Sequence, residues 1–96
     1  MKLRLMPLAQ RQVEKERREW RARRDHVDIF DDELAEVLRF ILQSSLAGRR
    51  ARRKGREAVS RFGMRKTQLL MYYRFDAAEV VILSVWPMRK RSAPRL

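Results

Sequence analysis

The sequence predicts an α+β fold of two layers, in the order β-α-α-β-β-β, with a helical hairpin packed on an antiparallel sheet. Two observations carry this. The first is a pair of apolar runs, Leu69 to Phe75 and Val80 to Trp86, set back to back around Asp76-Ala77-Ala78-Glu79, which reads as a buried hairpin. The second is the stripe Phe30, Leu34, Val37, Leu38, Ile41 and Leu42, whose three- and four-residue spacing marks one apolar face of a helix.

Each element follows from its own residues. Lys2-Leu3-Arg4-Leu5-Met6 alternates polar and apolar, as a short strand with Leu3 and Leu5 inward, and Pro7 suits the first turn of a helix. From Leu8 to about Arg24 the composition is helical, but the stripe is thin. Ala9, Val13 and Trp20 share a face, with only Glu16 and Arg17 in the turn between, so a mostly solvated helix is expected. Glu14 with Arg18 and Glu19 with Arg23 have the spacing of supporting ion pairs. Asp25 or Asp28 can cap the second helix, and Asp31, Asp32 and Glu33 fill a first turn where the helix dipole favours anions. Carboxylates side by side in one turn point in several directions, so a dipole-satisfied helix start is expected there, and neither a metal site nor an acid–base site.

Gly48 is expected to stop that helix. Arg49-Arg50-Ala51-Arg52-Arg53-Lys54-Gly55-Arg56 then reads as a loop or mobile arm. Glu57 to Phe62 alternates, with Ala58, Ser60 and Phe62 on one side and Val59 and Arg61 on the other. Gly63 is expected to break this strand, and Met64-Arg65-Lys66 to turn into the hairpin. Within it, Leu69, Met71, Tyr73 and Phe75 share one face and Leu70, Tyr72 and Arg74 the other. Val80 to Trp86 is apolar on both faces except at Ser84, which suits a central strand, and Pro87 ends it. Phe30, Leu34, Leu38, Ile41, Met71, Tyr73, Ile82 and Val85 are the expected core.

A chain of 96 residues has room for one domain, 1–96, with a basic tail from about 87 to 96. Charge is placed unevenly. Residues 1–36 hold nine basic and nine acidic side chains; residues 37–96 hold fifteen and three, so the whole net charge of +12 sits there. Such a charge suits nucleic acid or an acidic protein. Neither helix joins a broad apolar face to a cationic one, so no membrane partner is expected. There is no cysteine for a disulfide or thiolate site, no signal-peptide pattern, and no run near the roughly 20 apolar residues that cross a bilayer. A soluble cytoplasmic protein without metal or cofactor is expected.

This order of elements, with Pro7-Leu8-Ala9, Gly48-Arg49-Arg50, Leu70 to Phe75, Val80 to Trp86, Arg89 to Arg91 and Pro94, resembles the RelE/ParE family of toxins from bacterial type II toxin–antitoxin modules. The resemblance covers nearly the whole chain. It implies a RelE-like fold and a growth-inhibiting toxin neutralised by a cognate acidic antitoxin, with no small-molecule substrate. The target is either messenger RNA on the ribosome, cut by an endoribonuclease, or DNA gyrase. Carried over by position, Arg61, Arg65 and Arg89 are the candidate catalytic cations of the ribonuclease version. Arg49, Arg50, Arg52, Arg53, Lys54, Lys66, Lys90 and Arg91 are candidates for binding nucleic acid or a partner.

The chain departs from the RelE-like pattern in two places. Leu70 stands about where those enzymes carry an arginine on the central strand, and the ending Pro94-Arg95-Leu96 offers no tyrosine or histidine. Tyr72 and Tyr73 read as packing residues, and His26 falls between the helices, so no histidine-dependent cleavage is expected. The alternative is a small basic nucleic-acid-binding module without toxicity. Against it, the second helix begins acidic and holds only Arg39 between Asp28 and Leu46, a poor recognition helix.

Overall fold

The computed structural model describes residues 2–23, 28–44, 49–54 and 57–89. In chain order these form β1 (Lys2–Leu5), α1 (Pro7–Arg21), α2 (Ile29–Gln43), β2 (Arg49–Lys54), β3 (Glu57–Met64), β4 (Leu69–Phe75) and β5 (Glu79–Pro87). The strands make one sheet in the order β1-β5-β4-β3-β2. Both helices lie on one face of it, as the α+β reading expects.

The core sits between the layers. Ala9, Val13 and Trp20 from α1 and Phe30, Leu34, Val37 and Ile41 from α2 close on Met64, Leu69, Met71, Tyr73, Val80, Ile82 and Val85. Of the expected core residues all are buried except Leu38, which packs half-buried at the margin. Phe30, Ile41, Tyr73 and Ile82 are at most 1% exposed. Each such side chain stabilises the fold by about 1.5–3 kcal/mol relative to exposure.

β5 is an interior strand with neighbours on both sides, as its composition requires, antiparallel to β4 and parallel to β1, so the sheet is mixed where a wholly antiparallel one was expected. The parallel pair aligns Leu3 with Val80 and Leu5 with Ile82, placing both leucines against the core. Outside the core, Arg4 Nη2 reaches Glu79 Oε1 at 3.0 Å. That bond holds the Glu79 carboxyl below its ordinary range and raises the arginine.

The β4–β5 register slips between Tyr72, opposite Ser84, and Tyr73, opposite Ile82, leaving Leu83 as the extra residue of a bulge. A bulge interrupts the ladder, and α1 supplies the acceptor. Gln12 Oε1 takes the Val85 N–H at 2.8 Å and the Ser84 hydroxyl at 3.0 Å. This accounts for a fully buried serine in an otherwise apolar strand. At the hairpin end, Asp76 Oδ1 accepts from the Ala78 and Glu79 amides at 2.7 and 2.9 Å, which lowers its pKa.

The segment expected to be a loop or mobile arm is a strand. β2 pairs antiparallel with β3, Arg49 opposite Arg61 and Lys54 opposite Glu57, with a slip at Ala51. An edge strand needs only a neighbour's free backbone groups, and charged side chains there deter further pairing. Gly63 does not break β3. It pairs with Leu70, and a Cβ at that position would come 3.1 Å from Met88 Cε, so the missing side chain makes room for Met88. The β3–β4 turn falls at 65–68, where Gln68 takes a positive φ of 59°.

The helices are joined by charge. Arg17 Nε meets Asp31 Oδ1 at 2.8 Å, Arg21 adds a second contact to Asp31, and Glu14 pairs with Arg17 instead of Arg18. Asp28 holds the N-cap position of α2, but its side chain makes no cap hydrogen bond. Gly48, His26, and Lys90 onward lie outside the described residues.

Candidate functional site

Glu33 organises the end of the sheet. In sequence it is one more acid in a helix's first turn; in the structure it is 5% exposed and reaches the β3–β4 turn. Its Oε2 accepts the Lys66 amide at 2.7 Å, and its Oε1 accepts the Thr67 amide at 3.0 Å and the Thr67 hydroxyl at 2.6 Å. Hydrogen bonds to an ionised acceptor are short and strong, so the turn is held rigidly to α2. Gln68 closes the turn through its carboxamide to the Arg65 carbonyl, and its own carbonyl accepts the Met88 amide at 2.9 Å. The segment after β5 is thereby tied to the same turn.

These ties bring Lys66 and Arg89 into one cleft of about 410 Å³. Its opposite wall is the C-terminal half of α1, with Glu16, Glu19 and Trp20, continued by Arg23 just beyond the helix end, and Leu69, Pro87 and Met88 line the remainder. Arg23 lies over the Trp20 ring, 4.1 Å from its centroid, a cation–π stack. Burial raises the Glu16 carboxyl above its ordinary range, Glu19 raises it further, and a hydrogen bond with Trp20 opposes the shift. Lys66 Nζ comes within 4.0 Å of Glu36 at the outer side of the turn.

The other candidate cations lie elsewhere. Arg65 is exposed in the turn but does not line the cleft. Arg61 is exposed on β3 opposite Tyr72, on the sheet face away from the helices, three residues, or about 10 Å, before the end of the strand. Register places it beside Arg49, so Arg61 belongs with the basic edge strand that carries Arg50, Arg52, Arg53 and Lys54. Lys90 and Arg91 lie outside the described residues. Among the described residues the candidate cations thus fall in two stretches of the sheet, one along the paired β2 and β3 strands and one at the turn end.

Leu70 is half-buried on the same outer face as Arg61, opposite Trp86. Tyr72 and Tyr73 are 4% and 0% exposed, as packing residues should be. Among the described residues no cluster of histidines and carboxylates is placed to hold a metal, and no helix is long and apolar enough to cross a membrane. The α1 wall of the cleft was missed from sequence. Its signal was present, because residues 16, 19 and 20 recur on one helical face with Arg23 following in step, but only the fold shows what that face meets.

No protein-family model matches the chain, and comparison with curated proteins finds no match. Solved structures do. A chain of the chromosomal ParDE TA (toxin–antitoxin) system from P. aeruginosa superposes with a TM-score of 0.72 over 93% of this chain and 97% of that one, at 15% identity. The fold is the ParE-like one. The RelE/ParE resemblance drawn from the residues therefore holds at the level of architecture, through the helical hairpin and the strands that follow it.

Proposed function

We propose that this chain is the toxin of a type II toxin–antitoxin pair, acting in the cytoplasm and neutralised by a cognate acidic antitoxin. The observation that carries the reading is the near end-to-end likeness to the ParDE chain. The sequence adds a net charge of +12 confined to residues 37–96, which a folding acidic partner would neutralise while covering apolar surface.

For the target, the reading is binding of DNA gyrase. Cleavage of a message needs cations aimed together at one phosphate, where removing a single donor typically costs about 10²–10³-fold in rate. Here Arg61 stands apart from Lys66 and Arg89, and by the resemblance Leu70 stands about where RelE-like enzymes carry a central-strand arginine. One observation favours the ribonuclease alternative: Lys66 and Arg89 share their cleft with Glu16, a carboxyl of raised pKa.

Induction of the chain alone should arrest growth, and co-expression of an adjacent gene with an acidic C-terminal half should restore it. Supercoiling by purified gyrase, run beside mapping of message ends in a translation extract, separates the targets. Stalled gyrase with intact messages supports binding. Ribosome-dependent cleavage lost on Arg61→Ala would replace that reading with the enzyme, and full growth at confirmed expression would remove the toxin.

A further inference from the structure

We infer that the cleft between α1 and the β3–β4 turn is a nucleotide site, taking a phosphate on Lys66 and Arg89 and a guanine-type base on Arg23 and the Glu16–Glu19 wall. This goes beyond the toxin reading and stands on the cleft's own geometry.

The cleft has two walls of opposite character. On one side Lys66 and Arg89 are exposed cations, the first on a turn fixed by Glu33 and the second on a segment tied to that turn by the Met88–Gln68 hydrogen bond. On the other, Glu16 and Glu19 project one helical turn apart from the C-terminal half of α1, where the helix dipole is also negative. Among the described residues no ion pair joins the two walls: Lys66 pairs outward with Glu36, and Arg89 has no carboxylate within ion-pair distance. Charges of both signs facing one cleft without pairing favour a ligand that is anionic at one end and rich in N–H donors at the other.

The Arg23–Trp20 stack narrows the ligand further. Trp20 is 9% exposed and backs the guanidinium of Arg23, an exposed residue that lines the cleft and offers a plane on which a flat ring can stack. Bases stack on such planes as readily as on aromatic rings. A carboxylate beside the platform accepts from an N–H edge; guanine presents two adjacent donors there, and uracil one donor flanked by carbonyls. A cleft of about 410 Å³ is of a size to hold one nucleotide.

The test is titration of the purified full chain, followed by calorimetry, with guanosine monophosphate, uridine monophosphate, inorganic phosphate and a short single-stranded RNA containing one guanosine. Guanosine monophosphate should bind at least about tenfold more tightly than uridine monophosphate or phosphate, the scale of one stacked and hydrogen-bonded base. Arg23→Ala should lower that affinity about tenfold. Glu19→Gln should narrow the preference over uridine monophosphate, and Lys66→Gln should weaken both nucleotides together and reduce the salt dependence. All three positions are exposed, so the variants should keep the wild-type circular dichroism. Binding of the oligonucleotide as tightly as the mononucleotide makes the source a nucleic-acid strand; mononucleotide binding alone makes it a free nucleotide. No binding, equal binding of phosphate and guanosine monophosphate, or affinities untouched by Arg23→Ala and Lys66→Gln would overturn the site. None of these results depends on toxicity, so either reading can fail while the other stands.

Discussion

Glu33→Ala should be among the most destabilising single changes in this chain, although the residue reads in sequence as one of several helix-start acids. The carboxylate accepts three hydrogen bonds, from the Lys66 amide at 2.7 Å, the Thr67 amide at 3.0 Å and the Thr67 hydroxyl at 2.6 Å, while 5% exposed. Removing it strands these donors at the edge of the core. Bonds to a charged acceptor contribute about 1.5–3 kcal/mol each, but Lys66 is exposed and its amide can recover part of the loss from water. We expect a net cost of about 3–5 kcal/mol, a large share of the roughly 5–15 kcal/mol available to a domain. Glu33→Gln keeps one acceptor oxygen but turns an NH2 toward one of the donors, so about 2 kcal/mol is expected. Thr67→Val removes only the hydroxyl bond and should cost about 1 kcal/mol. Urea unfolding reads these as shifts in midpoint at constant slope, and the double variant should be less than additive because the residues share one interaction. Amide exchange at Lys66 and Thr67 should accelerate in both Glu33 variants before global unfolding. If Glu33→Gln unfolds within about 0.5 kcal/mol of the wild type and these amides stay protected, the carboxylate does not hold the turn.

Three further outcomes are expected. Ile82→Ala empties a fully buried position on the interior strand β5 and should cost about 2–5 kcal/mol by urea unfolding, with Leu38→Ala milder because Leu38 is only half-buried. Gln12→Ala leaves the Val85 amide at the bulge and the buried Ser84 hydroxyl without their acceptor, costing about 1–3 kcal/mol, and exchange at Val85 should report it. Below neutral pH, two carboxyls should act with opposite sign. Asp76 has a folded pKa below its ordinary value of 3.8, so its stabilisation is present above that value and lost as pH falls through the folded one; Asp76→Asn should flatten the acid limb of a Tm–pH profile. Glu16 is raised above 4.5, so the wild type loses stability as pH climbs through that region, and Glu16→Gln should gain on it over the same interval.

The residues by themselves determined the elements whose burial is written in their spacing. The stripe from Phe30 to Ile41 and the apolar run from Val80 to Val85, interrupted only by Ser84, hide from water as a one-sided helix and as an interior strand. With the hairpin at Asp76 they led to the α+β architecture and, through it, to the toxin resemblance. Tertiary structure alone decided what depends on a neighbour. Arg49 to Lys54 has no apolar alternation to mark a strand, and becomes one because β3 offers it an unpaired backbone edge. Lys2 to Leu5 lies parallel to Glu79 to Ile82, a pairing across most of the chain that no local pattern encodes. Glu33 looks like Asp31 and Asp32 until the fold brings the Lys66 and Thr67 amides to it. The cleft likewise exists only where α1, the β3–β4 turn and the end of β5 converge. Local spacing records which face a segment must bury, because that is a property of the segment; which donors, cations and edges meet there is a property of the packed chain.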